Sequence, residues 1–581
     1  MKHTKSFHKG HPNPQGYRPT FLLLNGKWNF LFDDGDEGLT KEYFANFPKQ
    51  SLVINVPYAY ESPRSGIEDK SEHNILWYQK TFDYKKKQDV VLLHIEKSDY
   101  ITKAWLNGQF VGEHRGGYDA FSFDVTKYIV NGANSIVVRV YDSKDATQPR
   151  GKQTWKATPF ECFYHGTSGI YGDVWLEEIN KIYLKSFALV PSAKERKLRV
   201  NAIFSEKSIG AKFTINATFA GKNAAKHEYL INSVNQEFSL LIPGELKLWS
   251  VEKPQLYDLE LSITFNNDEK DKVLSYFGFN DVGIKGKYIT LNNQETYLKF
   301  VLDQGYFWGG DLTATYEDFM IDINYLKAAG FNGVRKHEKI ESKLFFYLAD
   351  RYGLLNWVEY PSPHLFDISK AEVLKEQWTN IVKEHMSHPS VMAYVCYNES
   401  WGVHQILTDT AQQEFTVELY HFTKKLDPHR LAISNDGWEH TISDLLTVHN
   451  YQETYEELTK TYVDMLNNLK TQGNTMANVT RKAYANGYKY RGEPILITEF
   501  AGIAIDYNTS DGWGYGKAAM GVEGFLAKLE GQLKAIKQFD FFVGYCITQL
   551  SDVYQEKNGL LAHNRTIKIN PQVLRKLISK Y

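Results

Sequence analysis

Two glutamates stand where apolar runs end, so each carboxylate would be delivered into a pocket by a buried strand. Glu399 ends "VMAYVCYNE", directly after Asn398, and Glu499 ends "EPILITE". Hydrolysis of a glycosidic bond needs such a pair: one carboxylic acid protonates the leaving oxygen, and the other carboxylate attacks the anomeric carbon. A lone glutamate is more often an ion-pair partner or a helix cap, so the interpretation depends on the two occurring together.

The segments that carry these glutamates belong to a repeating pattern that begins at about residue 282. Apolar strands alternate there with amphipathic helices, and eight strands over about 300 residues predict a (β/α)₈ TIM barrel. A doubly wound open sheet is the rival fold, but no GxGxxG motif follows any of the strands. The predicted strands are residues 297–303, 331–337, 354–359, 391–399, 430–436, 445–451, 494–500 and 541–549.

Polar residues follow the predicted barrel strands at their C-terminal ends, where barrel enzymes place their chemistry. Amides and carboxylates bind hydroxyl groups and aromatic rings cover sugar faces, so these ends predict a polyol pocket. Packing or a structural ion pair is the alternative for each residue, above all for Arg335 and His449. No Gly-rich phosphate loop and no metal-ligand spacing are present. The candidate substrate-binding residues are Asp303, Gln304, Arg335, His337, Asn398, Asn435, Asp436, Trp438, His449, Tyr451 and Gln549.

The part of the chain before the barrel is rich in β-branched residues and turn signals. Runs such as "VVLLHI", "ITKAWLNG" and "NSIVVRVYD" predict a β-sandwich, and "KLRVNAIF", "KFTINATF" and "YDLELSITF" predict a second sandwich of immunoglobulin length. We therefore expect three domains: a jelly-roll sandwich over residues 1–180, an immunoglobulin-like β-sandwich over 181–280 and the barrel over 281–581.

Several motifs, in this order, resemble glycoside hydrolase family 2, the group of β-galactosidases, β-glucuronidases and β-mannosidases. "LLNGKWNFLFD", "AWLNGQFVGEHRGGYDAFSFDVT" and "SGIYGDVWLE" resemble its N-terminal sugar-binding jelly roll, and "VEKPQLYDLEL" resembles its middle domain. "GFNGVRKH", "CYNESWG" and "ITEFAG" resemble its barrel. The similarity runs through nearly the whole chain.

The resemblance implies a retaining exo-β-glycosidase without a cofactor, with β-D-galactosides as the leading substrates. Glu399 would be the acid/base and Glu499 the nucleophile. Asn398 would bind the hydroxyl beside the anomeric carbon, and Arg335 would keep Glu499 ionised, because a nearby cation lowers a carboxyl pKa.

The sequence departs from the family pattern at three places that bear on specificity. Glu359 is followed by Tyr360 and Pro361, so the histidine ligand of the magnesium site in related β-galactosidases is missing. At the position of the family's strand-eight tryptophan the chain has Thr548 or Gln549. In place of the Asn-x-Lys motif of β-glucuronidases the chain has "EKN", in which Glu556 would repel a uronate while Lys557 keeps that substrate open. No domain like those of large β-galactosidases is expected after the barrel.

Other functions stay open at this stage. The glycone could be a glucuronide, galacturonide, mannoside or arabinopyranoside; other classes are a non-catalytic carbohydrate-binding protein and a scaffold acting through its β domains. With 67 basic and 69 acidic residues, no apolar run of transmembrane length and no signal-like start, we expect no nucleic-acid or membrane partner and a cytoplasmic location. A homo-oligomer is possible. The basic arm of residues 1–19 is expected to be disordered or to reach a neighbouring subunit.

Overall fold

The computed structural model describes residues 10–506 and 512–581, and its second half forms the expected barrel. Each predicted barrel strand has an observed counterpart, and nearly all of their residues are buried. The strands are β1 Leu298–Asp303, β2 Gly333–Lys336, β3 Leu355–Glu359, β4 Val391–Val395, β5 Leu431–Ile433, β6 Leu446–His449, β7 Ile495–Ala501 and β8 Phe542–Thr548.

These strands form a parallel sheet that curls into a ring in the order β5-β4-β3-β2-β1-β8-β7-β6. Between β5 and β6, the described residues show no strand ladder. The ring is closed there by the Asp444 N–H, 2.9 Å from the Ala432 carbonyl oxygen, and the His449 N–H, 3.3 Å from the Gly437 oxygen. The C-terminal ends of all eight strands therefore surround one mouth, and the predicted TIM barrel is confirmed.

Within residues 10–506 and 512–581, seven α-helices cover the barrel, and several of them begin or end at capping residues. The Thr315 hydroxyl accepts from the Asp318 N–H at the start of the first helix, and Gly330 ends that helix at φ +87°. Only glycine adopts this left-handed conformation without strain, so the helix ends there. The helices are α1 Tyr316–Ala329, α2 Lys343–Tyr352, α3 Ala371–His385, α4 Thr410–Leu426, α5 Tyr455–Gln472, α6 Gly521–Lys537 and α7 Pro571–Ile578.

The N-terminal part is the expected β-sandwich, built from a six-stranded and a four-stranded antiparallel sheet beside a two-stranded one. Their inward-facing apolar residues form one core, which includes Trp28, Tyr78 and Ile136. The strands are Phe21–Leu23, Gly26–Phe32, Leu52–Val56, Ile75–Tyr84, Val90–Ile95, Ser98–Asp99, Ile101–Leu106, Gln109–Arg115, Phe121–Asp124, Gly132–Tyr141, Gly169–Ile170 and Val174–Ile179.

A second sandwich of three and four antiparallel strands follows, with its own apolar core around Phe204, Phe213 and Phe238. The short strands Val282–Lys285, Tyr288–Leu291 and Gln294–Glu295 then lead into the barrel. The sandwich strands are Leu184–Ser192, Lys197–Phe204, Lys212–Phe219, Lys222–Leu230, Asn235–Leu241, Tyr257–Phe265 and Asp268–Phe277.

The N-terminal arm differs from the expectation of disorder in the portion that the structure describes. The Arg18 guanidinium is buried and binds Asp271 at 2.9 Å and Glu177 at 2.8 Å, which joins the two sandwiches. His11 is buried as well. A buried arginine that is satisfied by two carboxylates holds residues 10–19 in place. Residues 1–9, including Lys2, His3, Lys5, His8 and Lys9, lie outside the described residues.

One connection of the first sandwich reaches the mouth of the barrel. We call residues 142–168, between strands Gly132–Tyr141 and Gly169–Ile170, the sandwich loop. Its Gly151 N–H donates to the Ser362 carbonyl oxygen at 3.2 Å, and its Ala146 oxygen accepts from the His364 N–H at 2.8 Å. The sandwich loop therefore packs on the segment that follows β3. None of the helices in the described residues is long and apolar enough to cross a membrane.

Candidate active site

Arg335 on β2 lies at the centre of the barrel mouth and is completely buried. Its Nη1 lies 2.9 Å from Glu499 Oε1, its Nε lies 2.7 Å from Glu359 Oε2, and its Nη2 donates to Asn398 Oδ1 at 2.9 Å. Nη2 also lies 2.8 Å from Asp436 Oδ2. A planar guanidinium suits such a set of oxygen partners, and Arg335 thereby links β3, β4, β5 and β7.

The carboxylate of Glu499 is held in its ionised form. Burial alone raises its pKa, but the neighbouring charges of His449 and Arg335 outweigh burial and lower the pKa to about 2. Tyr451 adds a hydrogen bond, with its hydroxyl 2.5 Å from Glu499 Oε2. Glu499 is thus an anion at any pH at which the protein is expected to work, as a nucleophilic carboxylate requires.

Glu399 lies on the opposite side of the same space and is bound by His449. The His449 Nδ1 is 2.7 Å from Glu399 Oε1, and its Nε2 is 2.9 Å from Asp436 Oδ2. Burial lowers the pKa of His449, but Glu499 and Asp436 reverse this effect and raise it to about 10. His449 is therefore an imidazolium that donates to the Asp436 carboxylate and to Oε1 of the Glu399 carboxyl group, which leaves Glu399 Oε2 free of this contact.

The turn after β4 directs Glu399 into the pocket through an unusual backbone. Glu399 and Ser400 have φ values of +53° and +61°, a left-handed conformation that costs energy for residues other than glycine. The Asn435 side chain holds this turn: its Oδ1 accepts from the Ser400 N–H at 2.9 Å, and its Nδ2 donates to the Trp438 carbonyl oxygen at 2.8 Å. Asn435 therefore positions Glu399. Contrary to the prediction, its side chain does not face the pocket.

The two glutamates face one another at short range. The nearest suitable oxygens of Glu399 and Glu499, together with a nitrogen of His449, all lie within 4.8 Å of one another. Retaining glycosidases separate their two carboxyl groups by about 5–5.5 Å, whereas inverting enzymes need roughly 6.5–9.5 Å to admit a water molecule. A pair of carboxyl oxygens within 4.8 Å agrees with the retaining spacing and is shorter than the inverting one.

Unsatisfied polar atoms mark the walls that can bind a substrate. Asn398 Nδ2, Gln304 Oε1 and Gln549 Oε1 are buried, and none of them has a hydrogen-bond partner among the described residues. Buried polar groups are normally paired, because leaving one unpaired costs about 1–3 kcal/mol. Gln304 and Gln549 follow the neighbouring strands β1 and β8, and Asn398 follows β4. These three atoms are the partners that sugar hydroxyls would satisfy.

Asp303 does not face this pocket, contrary to the prediction. Its Oδ2 lies 2.6 Å from Lys336 Nζ, and its Oδ1 accepts from the Gly305 N–H at 2.8 Å. Lys336 in turn lies over the Phe345 ring of α2, 4.4 Å from the ring centre. Successive strand residues point to opposite faces, so Arg335 points into the barrel while Lys336, with Asp303, points to the helix layer.

The remaining predicted residues occupy the walls and the layer behind them. His337 Nδ1 lies 2.9 Å from Glu359 Oε1, and Asp436 is buried between Arg335 and His449. Trp438 packs edge-on against His449 at 5.5 Å between ring centres and carries an unpaired indole N–H. Tyr451 stacks on Tyr515, with 3.5 Å between ring centres, so a tyrosine outside the predicted strands completes this wall.

The loop after β8 closes one end of the pocket. Gln549 Nε2 donates to Asn558 Oδ1 at 2.6 Å and to Glu556 Oε2 at 3.2 Å. The Tyr164 hydroxyl of the sandwich loop also donates to Glu556, whose carboxyl pKa is raised by burial. Glu556 and Asn558 thus both contact Gln549. The Lys557 side chain packs against Gly512, because a Cβ atom on Gly512 would lie only 2.1 Å from Lys557 Cγ.

Lys152, on the sandwich loop, was missed by the sequence analysis. Its buried Nζ lies 3.4 Å from Cys162 Sγ and 3.8 Å from Glu338 Oε2. Burial lowers its pKa, but Cys162, Glu338, Glu399 and Glu556 raise it above the ordinary lysine value. Lys152 is therefore a cation close to the pocket. No local motif indicates this, because Lys152 and the barrel are far apart in sequence.

The residues at the mouth do not fit a divalent metal. Both Glu359 oxygens are bound by Arg335, at 2.7 and 3.1 Å, and both His449 nitrogens contact carboxylates. An imidazolium has no lone pair for a metal. A separate cavity of about 910 Å³ lies between the two sandwiches and α3, and neither Glu399 nor Glu499 lines it.

Comparison with known proteins reveals three matching family models. The sugar binding domain of the glycosyl hydrolases family 2 matches residues 21–179, a second family 2 model matches 182–280, and the family 2 TIM barrel domain matches 282–515. The order of the three models along the chain is that of the three domains described above.

Curated relatives carry two different names. A putative β-glucuronidase of Formosa agariphila is 26% identical over 71% of this chain, and a β-galactosidase of Thermoanaerobacter pseudethanolicus is 24% identical over 85%. The chain spans 40% of the length of the first relative and 68% of the second. A β-glucuronidase of Bacteroides fragilis is 22% identical over 77% of this chain, and the match covers 65% of that relative's length.

Among solved structures, an apo β-glucuronidase from Ruminococcus gnavus superposes with a TM-score of 0.77 at 17% identity. The match covers 96% of this chain and 97% of that one, so the two proteins share a fold. Because three models of one family match in order from residue 21 to residue 515, the chain belongs to glycoside hydrolase family 2.

Proposed function

We propose that this protein is a retaining exo-β-glycosidase that releases terminal β-D-galactosyl residues. The observation that carries the proposal is the short separation of the two glutamates, with suitable oxygens of Glu399 and Glu499 within 4.8 Å. The lowered pKa of Glu499, about 2, supports its role as the nucleophile.

In the first step, a Glu499 oxygen attacks the anomeric carbon while Glu399 transfers its proton to the glycosidic oxygen. The bond between that carbon and that oxygen breaks, and the leaving group departs as an alcohol. Glu399, now a carboxylate, then takes a proton from water, whose oxygen attacks the same carbon. The bond to Glu499 breaks, so the sugar leaves with its original configuration.

The closed end of the pocket supports exo action and a neutral sugar. In a pyranose, C2 lies on one side of C1, and the ring oxygen, followed by C5 and C6, lies on the other. A sugar whose 2-hydroxyl binds Asn398 therefore directs its C6 away from Asn398 and toward the loop after β8. Gln549, Glu556 and Asn558 lie there, and the stem of the Lys557 side chain packs against Gly512. A carboxyl and two amides suit a hydroxymethyl group, and an ionised Glu556 would repel a uronate.

A β-uronide is the second candidate, and Lys152 favours it. The Lys152 ammonium is buried and its contact with Glu338 is 3.8 Å, longer than a hydrogen bond. A substrate carboxylate could therefore gain a charge-assisted hydrogen bond from it. The relatives named as β-glucuronidases support the same candidate.

A panel of 4-nitrophenyl β-glycosides at matched concentration separates the two candidates. We expect the highest kcat/KM on the β-galactoside, with the anomeric proton of the first product showing the β configuration by NMR. A higher kcat/KM on the β-glucuronide or β-galacturonide would replace the first candidate by the second. An α-configured first product would exclude retention.

A further inference from the structure

Beside Glu399, the wall of the pocket is aromatic and is built by two domains. Trp401 follows Glu399 by two residues, and its ring centre lies 4.8 Å from Phe163 and 6.1 Å from Trp155 of the sandwich loop. Trp155 also stacks on His364 at 3.7 Å and meets Phe160 at 5.1 Å. We call Trp155, Phe160, Phe163 and Trp401 the aromatic wall.

The sandwich loop is fixed against the barrel at this point. Gly151 has φ +54°, and a Cβ there would lie 2.1 Å from the Glu338 carbonyl oxygen. Only glycine allows this approach. Across the mouth, Gln555 Nε2 donates to the carbonyl oxygens of Glu161 and Phe163 at 2.8 and 3.0 Å. The sandwich loop, which carries Trp155, Phe160 and Phe163, is thus fixed by contacts with the barrel on both sides of the mouth.

The aromatic wall is more accessible than the side chains at the floor of the pocket. Phe163 is buried, but Trp155, Phe160 and Trp401 are only half-buried, whereas Arg335, Asn398 and His449 are fully buried. The indole N–H of Trp401 has no hydrogen-bond partner among the described residues. Half-exposed ring faces and an unpaired donor in one place can bind a ring that has both an apolar face and hydroxyl groups.

The chemistry decides what occupies this position. Glu399 must meet the glycosidic oxygen to protonate it, so the leaving group lies on the Glu399 side of the scissile bond. We infer that the aromatic wall binds the leaving group, and that this group is a pyranose stacked on Trp155 with a hydroxyl at the Trp401 N–H. The inference rests on the proposed function and adds its aglycone class: β-linked oligosaccharides rather than aryl glycosides.

The test compares three leaving groups on one glycone: β-galactosyl fluoride, 4-nitrophenyl β-galactoside and the disaccharide lactose. The fluoride leaving group has no ring that could stack on the aromatic wall. The ratio of variant to wild-type kcat/KM on β-galactosyl fluoride therefore reports only changes in the part of the site that binds the galactosyl ring. We expect Trp155→Ala to lower kcat/KM on the disaccharide about three- to tenfold, the range of one aromatic contact, and to stay within about twofold on the fluoride. Trp155→Phe should recover most of the loss.

A second variant addresses the hydroxyl contact. Trp401→Phe removes the N–H and keeps a ring, so we expect a larger loss on the disaccharide than on the 4-nitrophenyl glycoside. Trp308→Ala is the matched control, because Trp308 is 60% exposed and contacts His563 rather than the aromatic wall. It should leave all three ratios unchanged.

Each remaining outcome counts against the inference. An equal loss on all three substrates in Trp155→Ala would indicate a structural role, and no loss on the disaccharide would remove the contact. A loss confined to the 4-nitrophenyl glycoside would assign the wall to aryl groups instead. If the wild-type protein does not hydrolyse β-galactosyl fluoride, the proposed glycone fails, and the same leaving-group series on the glycone found by the panel still decides the inference.

Discussion

His449 Nδ1 lies 2.7 Å from Glu399 Oε1, so an imidazolium fixes the position of the proposed proton donor. The opposite nitrogen of His449 contacts Asp436, and Asp436 contacts Arg335, which binds Glu499. The two glutamates are therefore connected through one continuous set of buried ions. Removing any one partner would leave an uncompensated charge, which costs several kcal/mol, so the set holds the spacing of Glu399 and Glu499.

Glu499→Gln tests the nucleophile. An amide cannot form the glycosyl ester, so we expect kcat on the preferred aryl glycoside to fall by more than about 10⁴-fold. The circular dichroism spectrum should stay that of the wild type, because the amide is nearly isosteric. In Glu499→Ala, which leaves room for a small anion in place of the carboxylate, added azide should restore turnover and yield the α-glycosyl azide. Activity within about tenfold of the wild type would exclude this assignment.

Glu399→Ala tests the proton donor. General acid catalysis contributes about 10²–10⁴-fold, and it matters most when the leaving group is a poor one. We therefore expect a loss of that size in kcat/KM on alkyl glycosides and less than about tenfold on 2,4-dinitrophenyl glycosides. An equal loss on both classes would contradict the role of Glu399.

Tyr451→Phe removes the hydrogen bond to Glu499 Oε2, which measures 2.5 Å. Hydrogen bonds to charged groups contribute about 1.5–3 kcal/mol, so kcat should fall by about 10- to 100-fold. The control is Tyr394→Phe, since Tyr394 is also buried and donates to a carboxylate, Asp427 at 3.0 Å, outside the pocket. Similar losses in both variants would indicate a general packing effect.

The stability of the protein should depend on pH through His449. Its pKa in the folded protein is about 10, above the ordinary value of 6.5, so its contribution is complete below pH 6.5 and is lost as pH rises through 10. We expect the wild-type Tm to decrease from pH 7 to 10. His449→Asn should have a lower Tm at pH 7 and a flatter profile. Parallel profiles would show that His449 does not carry the change.

Lys152→Met tests the second candidate function. If Lys152 binds a substrate carboxylate, kcat/KM on the β-glucuronide or β-galacturonide should fall by about 10- to 100-fold, with a smaller change on the β-galactoside. Lys97→Met is the matched control, because Lys97 is also buried and its ammonium is bound by the carbonyl oxygens of Tyr118 and Ile340, at 3.3 and 3.0 Å. Equal effects on charged and neutral glycones would exclude recognition of a carboxylate by Lys152.

The barrel strands and the residues at their ends could be predicted from the sequence. Apolar runs such as Val391–Val395 and Ile495–Ala501 are local signals, because a strand that is buried on both faces needs apolar residues throughout. The polar residue that ends such a run must lie at the barrel mouth, so Glu399 and Glu499 were placed together correctly without knowledge of any contact.

The direction of a side chain at a strand end could not be predicted in this way. Asp303 lies opposite Lys336 in the β1–β2 register, and this register turns Asp303 toward the helix layer. A shift of one residue would have turned it into the pocket. Asn435 likewise supports the turn at Ser400 because of where β4 and β5 end relative to each other.

By itself, the sequence determined the β-sandwich and barrel folds and the placement of Glu399 and Glu499 at the ends of barrel strands, because strand and helix periodicity depends on residues close together in the chain. Only the tertiary structure decided which side chains surround those glutamates. Lys152, Trp155 and Tyr164 reach the mouth because the first sandwich packs on the barrel. His449 bridges to Glu399 because only β5 separates β6 from β4 in the ring. Such contacts depend on how whole elements pack together, which no local pattern of residues encodes.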